Sequence, residues 1–471
     1  MNQLDLARIQ FATTSIYHFL FVPLTIGLAF LTAILQTAWH RSGNSDYLRL
    51  TRFFGVILVI NIAVGVVTGL VQEFQFGMDW SAYSRTVGDV FGAPLAMEGL
   101  AAFFLESTFL GLWIFGWDKL PRRVHLATIW IVAFGAALSA AFIMAANSWM
   151  QHPVGYAINP ATGRPQLDNI WAVLTNPVFL WGYLHVLLAS AVTGSVVMLA
   201  ISAWQLRRVR DPSTNSSPAH AMFRLTARLS LIVLLPAMIF AMFVGSELGV
   251  IEARYQPMKI AAAEAQWQTC RPCSFSLFQI GGGKNDQTPT QLIEVPHLLS
   301  LLATNSWNGQ VIGLNELNSQ YQRQYGPGDY VPNVFVQYWS MRVMAYLAAL
   351  LGLLAVWGLW LMWRGRMVGS SWFLRASIWA LPLPFVMNTA GWMLTESGRQ
   401  PWIVQGVQLT RHGVSPSIDT TTVAISLLVF LLLYGALAIV DIVLMARYAR
   451  RDPGPAPATD TADVPVPASS Y

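Results

Sequence analysis

GWMLTESGRQPW, Gly391–Trp402, closes an apolar run and sets Glu396 and Arg399 at its mouth between Trp392 and Trp402. An ionisable side chain at the edge of hydrocarbon costs several kcal/mol unless it has a partner, so its default reading is functional. The run that delivers it, residues 372–395, is long enough to span a bilayer, which takes about 20 mostly apolar helical residues. Eight further stretches qualify, at about 12–39, 53–73, 94–117, 124–148, 178–204, 224–248, 338–363 and 420–446. Composition agrees: 55% of the 471 residues are apolar and 11% charged, with 19 Trp, against roughly a quarter charged in soluble domains. The expected fold is an all-α polytopic membrane protein of nine transmembrane helices. The first run is too long for a signal-peptide core, follows Asp5 and Arg8, and has no small-residue cleavage site after it, so it reads as an anchor.

Lys and Arg in short loops are retained on the cytoplasmic side. They gather after the odd-numbered spans, for example Arg41, Arg49, Arg52, Lys119, Arg122, Arg207, Arg210 and Arg364, and again after the ninth, whereas the second and fourth loops hold only Arg85 and Arg164. This places the N-terminus outside and the C-terminus in the cytoplasm. The net charge of +5 therefore reports topology and gives no sign of nucleic-acid binding. Residues 1–248 carry helices 1–6, 249–337 form a long outer loop, 338–450 carry helices 7–9, and 451–471 read as a disordered cytoplasmic tail rich in Pro, Ala and Asp. Both cysteines, Cys270 and Cys273, lie in the outer loop. An oxidising compartment favours a disulfide between them; a pair of functionless thiols is the alternative, and two thiolates alone do not make a zinc site.

Of eight histidines, only His18 and His185 fall well inside spans. At a rise of about 1.5 Å per residue, His18 lies about 9 Å below the outer end of span one, and His185 and Met344 about 10 Å below those of spans five and seven. Glu98 and Glu396 share that outer layer. His and Met on facing helices at one depth can hold a haem iron from both sides, and Arg342, two residues from Met344, seeks an anion such as a haem propionate. His18 and Glu396, as single ligands, leave an iron open. Glu98 and Glu106 stand about 80° and about 12 Å apart on one helix, spacing that suits a proton relay, which Asp118 and Ser139 would extend.

Together these residues resemble subunit I of the cytochrome bd quinol oxidases over the whole chain before the tail. The string GWxxxExGRQPW, filled by Gly391, Trp392, Glu396, Gly398, Arg399, Gln400, Pro401 and Trp402, is the most specific match. The resemblance implies two haem b and one haem d. His185 and Met344 would ligate a low-spin haem b with Arg342 beside it, Glu396 a high-spin haem b and His18 the haem d, although the last two assignments vary across the family. Trp392 would lie between haem centres, and Arg399 would compensate charge beside a haem propionate or the Glu396 carboxylate itself. Glu98 and Glu106 match the family's intramembrane carboxylates, and Glu73 and Asn147 fall in family-like strings. Lys259 and Glu264 match the KxxxxE pair linked to quinol oxidation in the outer loop. The family further implies a second large membrane subunit, admits small accessory subunits, and resides in the bacterial cytoplasmic membrane. Its activity is oxidation of quinol at the outer face and reduction of O2 to water with protons from inside, generating membrane potential without a pump. The sequence leaves menaquinol and ubiquinol open. Two histidines are too few for a haem-copper oxidase or a bc-type cytochrome b; a haem-free secondary transporter would explain Glu98 and Glu106 but not His185, Met344 and GRQPW together.

Overall fold

A computed structural model describes residues 2–208 and 218–453; Arg210 and the tail beyond 453 lie outside the described residues. In chain order the helices are α1 Gln3–Ser42, α2 Ser45–Met78, α3 Ser81–Met97, α4 Phe104–Phe115, α5 Arg122–Gln151, α6 Ile170–Leu174, α7 Pro177–Arg208, α8 Pro218–Tyr255, α9 Pro257–Ala263, α10 Leu298–Thr304, α11 Leu314–Tyr325, α12 Val334–Trp363, α13 Ser371–Trp379, α14 Leu383–Gly398 and α15 Thr420–Ala449. The helix ends are written in the sequence. Asn2 caps α1 by accepting from the Asp5 N–H at 2.9 Å, and Gly43, at φ 68°, returns its N–H to the Trp39 carbonyl, the left-handed turn that glycine adopts without a Cβ penalty.

Among the described residues, eight helices are long and apolar enough to cross a membrane, with α3 and α4 counted as one rod from Ser81 to Phe115. The eighth expected span, 372–395, is not one helix. Pro382 lacks the N–H for the next turn and its ring clashes with the carbonyl four residues back, so α13 stops at Trp379 and α14 starts at Leu383. Hydrophobicity sums through the sequence ALPLP without registering this break. The rod α3–α4 is interrupted differently: Glu98–Phe103 form a π-helical turn, a feature often found at functional sites. Each residue of a π turn winds less than the 100° of an α-helix, so Glu98 and Glu106 come closer to one face than the 80° expected of a regular helix.

The body is held by α7 on α8, α1 on both α2 and α7, and α12 on α14. The segment between α8 and α12 has its own elements, α9, the antiparallel hairpin β1 Phe275–Ile280 with β2 Thr290–Val295, α10 and α11. Its apolar cluster of Met258, Ala261, Trp267, Leu314 and Tyr330 packs against Trp402. The motif that ends α14 is therefore clamped by this segment. Cys270 and Cys273 form a disulfide.

Candidate functional site

A cavity of about 890 Å³ opens between α1, α2, the α3–α4 rod, α5 and α14, near the upper end of the ~300–1,000 Å³ usual for cofactor sites. His18, Glu73, Glu98, Glu106, Ser139, Asn147, Trp392, Glu396 and Arg399 all line it. Glu396 is gripped twice: Asn147 Nδ2 donates to Oε1 at 2.6 Å and Arg399 Nη2 to Oε2 at 2.5 Å. Ser139 Oγ donates to Glu98 Oε1 at 2.6 Å. Gly135 on α5 faces Glu106, where an added Cβ would stand 3.2 Å from the Glu106 Cβ. The Trp392 indole stacks on Phe19 at 4.8 Å between ring centres. Asp118 does not join them; it lies in the exposed turn after α4.

The Thr68 hydroxyl selects one tautomer of His18 when it donates to its own helix, as buried helical threonines do. The Thr68 hydroxyl lies 2.9 Å from the Gly65 carbonyl and 3.1 Å from that of Val64, and its single proton is used there. Towards His18 it can then only accept, so the Nδ1 atom, 3.1 Å away, carries the hydrogen. The Nε2 atom is left as a bare lone pair, which is the form that binds metal. Gly69 follows Thr68, and any Cβ there would meet His18 Cε1 at 2.9 Å.

His185 and Met344 do not line this cavity. His185 lies against Gly245 of α8, whose added Cβ would approach Cε1 to 3.1 Å, and Met344 against Gly391 of α14, with Sδ at 3.0 Å. Their helices, α7 and α12, each pack on both α8 and α14. His185 Nδ1 makes no conventional hydrogen bond, with the Ala241 carbonyl the acceptor beside it.

Arg342 has an anion within the chain, Glu264. Nη1 and Nη2 reach the two Glu264 oxygens at 3.1 and 2.7 Å, Nη2 and Nε donate to the Ser276 carbonyl, and the guanidinium stacks over Tyr338 at 3.8 Å. Both partners are buried. Burial pushes the Glu264 carboxyl above its usual range, and Arg342 opposes that shift. Lys259 is not paired with Glu264 and is not a solvated loop charge. It is 1% exposed and bonds Glu252 at 2.8 Å and Gln151 Oε1 at 2.5 Å. Glu264 keeps helical dihedrals at the end of α9, so five residues put it about 140° around the helix from Lys259, and the two face apart. Sequence reasoning missed Glu252, Gln151 and Thr68. Two amides four residues apart on α5, Asn147 and Gln151, were the available signal, since i and i+4 share a helix face.

A family model described as cytochrome bd terminal oxidase subunit I matches residues 6–453. The chain belongs to that family. It is 40% identical over 456 residues to cytochrome bd ubiquinol oxidase subunit 1 of Bacillus subtilis (strain 168), covering 96% of this chain and 94% of that protein. It is 37% identical to cytochrome bd-II ubiquinol oxidase subunit 1 of Escherichia coli (strain K12), over 96% and 97%. The solved bd oxidase of Geobacillus thermodenitrificans matches with a TM-score of 0.84 at 29% identity, covering 96% of this chain and 99% of the other. The chain is thus a multi-pass membrane subunit of a cytochrome bd terminal oxidase, and its numbering as a first subunit implies a second. This sets aside the haem-free transporter.

Cytochrome bd implies haem, and the residues present fit it. Among the described residues no group of three His, Cys, Asp or Glu could hold a bare metal ion, whereas a macrocycle that brings its own four nitrogens needs only axial ligands. His18 offers an aimed lone pair. Glu396 offers a carboxylate on the same cavity, and glycines clear the space beside His18, His185 and Met344.

Proposed function

We propose that this chain oxidises membrane quinol at the outer face of the bacterial cytoplasmic membrane and reduces O2 to water at a pair of high-spin haems. The observation that carries the reading is that His18 and Glu396, on α1 and α14, line one cavity together with two intramembrane carboxylates. The chain would hold two haem b and one haem d, with His185 and Met344 holding the low-spin haem b, Glu396 the high-spin haem b and His18 haem d. When bound, the haems carry electrons from quinol to oxygen and bind the oxygen being reduced.

The protein supplies position and protons. Nine crossings, with α13 and α14 together as the eighth, put the N-terminus outside and the segment 249–337 over the outer face as the quinol site. Helices 1–6 in 1–248, helices 7–9 in 338–450 and a cytoplasmic tail from 451 complete that organisation. Lys259 and Glu264 are assigned to quinol, with Glu264 held by Arg342 and Lys259 by Glu252. Trp392 walls the high-spin site against Phe19, and Arg399 compensates the charge of Glu396. Protons for water come from inside along Glu106, Glu98 and Ser139, with Asp118 at the inner mouth, and from the second subunit; small accessory subunits are compatible with the exposed flanks. Because electrons enter from outside and protons from inside, turnover charges the membrane without a pump.

Oxygen consumption by the purified complex with ubiquinol and with menaquinol, alongside haem extraction, tests the whole reading; a preparation without b-type and chlorin-type bands would end it. Glu106→Gln is expected to lower turnover by at least ~10²-fold, the usual contribution of a positioned proton carrier, with haem content retained. Unchanged turnover and proton uptake would remove the relay. Thr68→Val keeps the shape of Thr68 but frees the His18 ring, so occupancy at the His18 haem should fall by roughly 10–100-fold in affinity, and Thr68→Ser should restore it. Equal haem stoichiometry in Thr68→Val and the parent would exclude the role of Thr68.

A further inference from the structure

One unbroken hydrogen-bonded row joins the outer lysine to the cavity carboxylate. Glu252 Oε1 accepts from Lys259 Nζ at 2.8 Å; Lys259 Nζ donates to Gln151 Oε1 at 2.5 Å; Gln151 Nε2 donates to Asn147 Oδ1 at 2.8 Å; Asn147 Nδ2 donates to Glu396 Oε1 at 2.6 Å. The orientation of both amides follows from the ends of the row. Lysine is a pure donor and an ionised carboxylate a pure acceptor, so each amide must turn its oxygen towards Lys259 and its nitrogen towards Glu396. Three bonds then point the same way, from Lys259 towards Glu396, with Glu252 accepting on the far side of Lys259, and aligned hydrogen bonds in a buried site polarise one another. Lys259, Gln151 and Asn147 are each 9% exposed or less, so little water screens them. Gly398 lets the row form, because a Cβ there would stand 2.4 Å from Lys259 Cγ.

We infer that Gln151 and Asn147 are positioning residues that couple the charge of Lys259 to Glu396, and so set the reduction potential of the haem that Glu396 holds. Amides of this kind hold charge in register but do not hand on protons as carboxylates do, so the row is an electrostatic link between quinol side and oxygen side. The positive end at Lys259 draws electron density from Glu396 through the two amides. That weakens the carboxylate as a donor to iron and favours the reduced haem. The inference rests on the assignment of Glu396 as an iron ligand.

The test is spectroelectrochemical titration of the purified complex, with haem content and thermal midpoint recorded for every variant. Glu396→Ala first identifies the haem by its loss. Lys259→Met is then expected to lower the reduced-to-oxidised ratio of that haem at fixed potential by roughly threefold to tenfold, tenfold being ~59 mV for one electron. In a Gln151→Met background, which cuts the row but keeps the bulk, the same Lys259→Met change should have no further effect. Gln151→Asn cuts the same link with a polar side chain, should Gln151→Met fail to assemble. An equal Lys259→Met shift with and without Gln151, or no shift at all, would overturn the coupling while leaving the ligand assignment intact. If Glu396→Ala keeps all three haems, the ligand assignment itself fails and the coupling falls with it.

Discussion

Arg342→Met is expected to destabilise the segment between α8 and α12 by about 3–5 kcal/mol, the cost of leaving one member of a buried ion pair without its partner. Three of the guanidinium's bonds tie different parts of the segment together: the Glu264 carboxylate, the Ala263 carbonyl at 2.5 Å and the Ser276 carbonyl at 2.6 Å. Its loss therefore releases the end of α9 and the start of the hairpin at once. The pH dependence has a definite sign. Burial raises the Glu264 carboxyl above 4.5, and without Arg342 nothing opposes that rise. A carboxyl whose folded-state pKa lies above its unfolded value loses stability as pH increases from one to the other. The variant should consequently be closest to the parent near pH 5 and fall furthest behind near pH 8. Adding Glu264→Gln, which removes the stranded charge, should recover part of the loss. Thermal midpoints of the detergent-solubilised complex at the two pH values give the answer. A variant equal to the parent at both would mean that Arg342 is not the tie the geometry makes it.

That prediction was only half legible in the chain. Met344 and Arg342 two residues apart suggested a guanidinium seeking an anion, but nothing in local spacing names Glu264, 78 positions away, as that anion. Eight of the nine apolar runs became long helices because hydrophobicity is a sum along the chain, and sums survive ignorance of packing. The eighth run, 372–395, broke at Pro382, whose effect is steric and not hydrophobic. The motif Gly391–Trp402 disclosed its own internal pair, Glu396 with Arg399, because they are one helical turn apart. Its links to Asn147 and Lys259 are tertiary. Span six was read as ending at 248, yet α8 continues to Tyr255, and that extra length carries Glu252 to Lys259. The π turn at Glu98 has no residue pattern of its own; it was visible only as backbone.

Gly27→Val should remove haem from two sites at once. A Cβ at Gly27 would stand 2.1 Å from the Ser190 carbonyl oxygen and 2.9 Å from the Gly194 nitrogen, and one at Gly194 would stand 2.6 Å from the Gly27 carbonyl carbon. These obstacles are backbone, which cannot rotate aside as a side chain can. The helices α1 and α7 must separate, as small residues at a membrane helix crossing are what permit such close approach. His18 lies nine residues before Gly27, and His185 nine before Gly194, about 14 Å along each helix. In the proposed topology both helices run inwards, so the crossing holds the two histidines at one level, and prising it open displaces both. Overpacking alone costs roughly 1–3 kcal/mol; the larger effect is on ligand geometry. Gly352→Ala is the matched control, since a Cβ there meets nothing within 4 Å. The pyridine haemochrome spectrum of the purified Gly27→Val complex should show loss of haem assigned to both His18 and His185, with Gly352→Ala at full content. If only one of the two haems is lost, the crossing does not set their common depth, and each histidine is positioned by its own neighbours, Thr68 with Gly69 for one and Gly245 for the other.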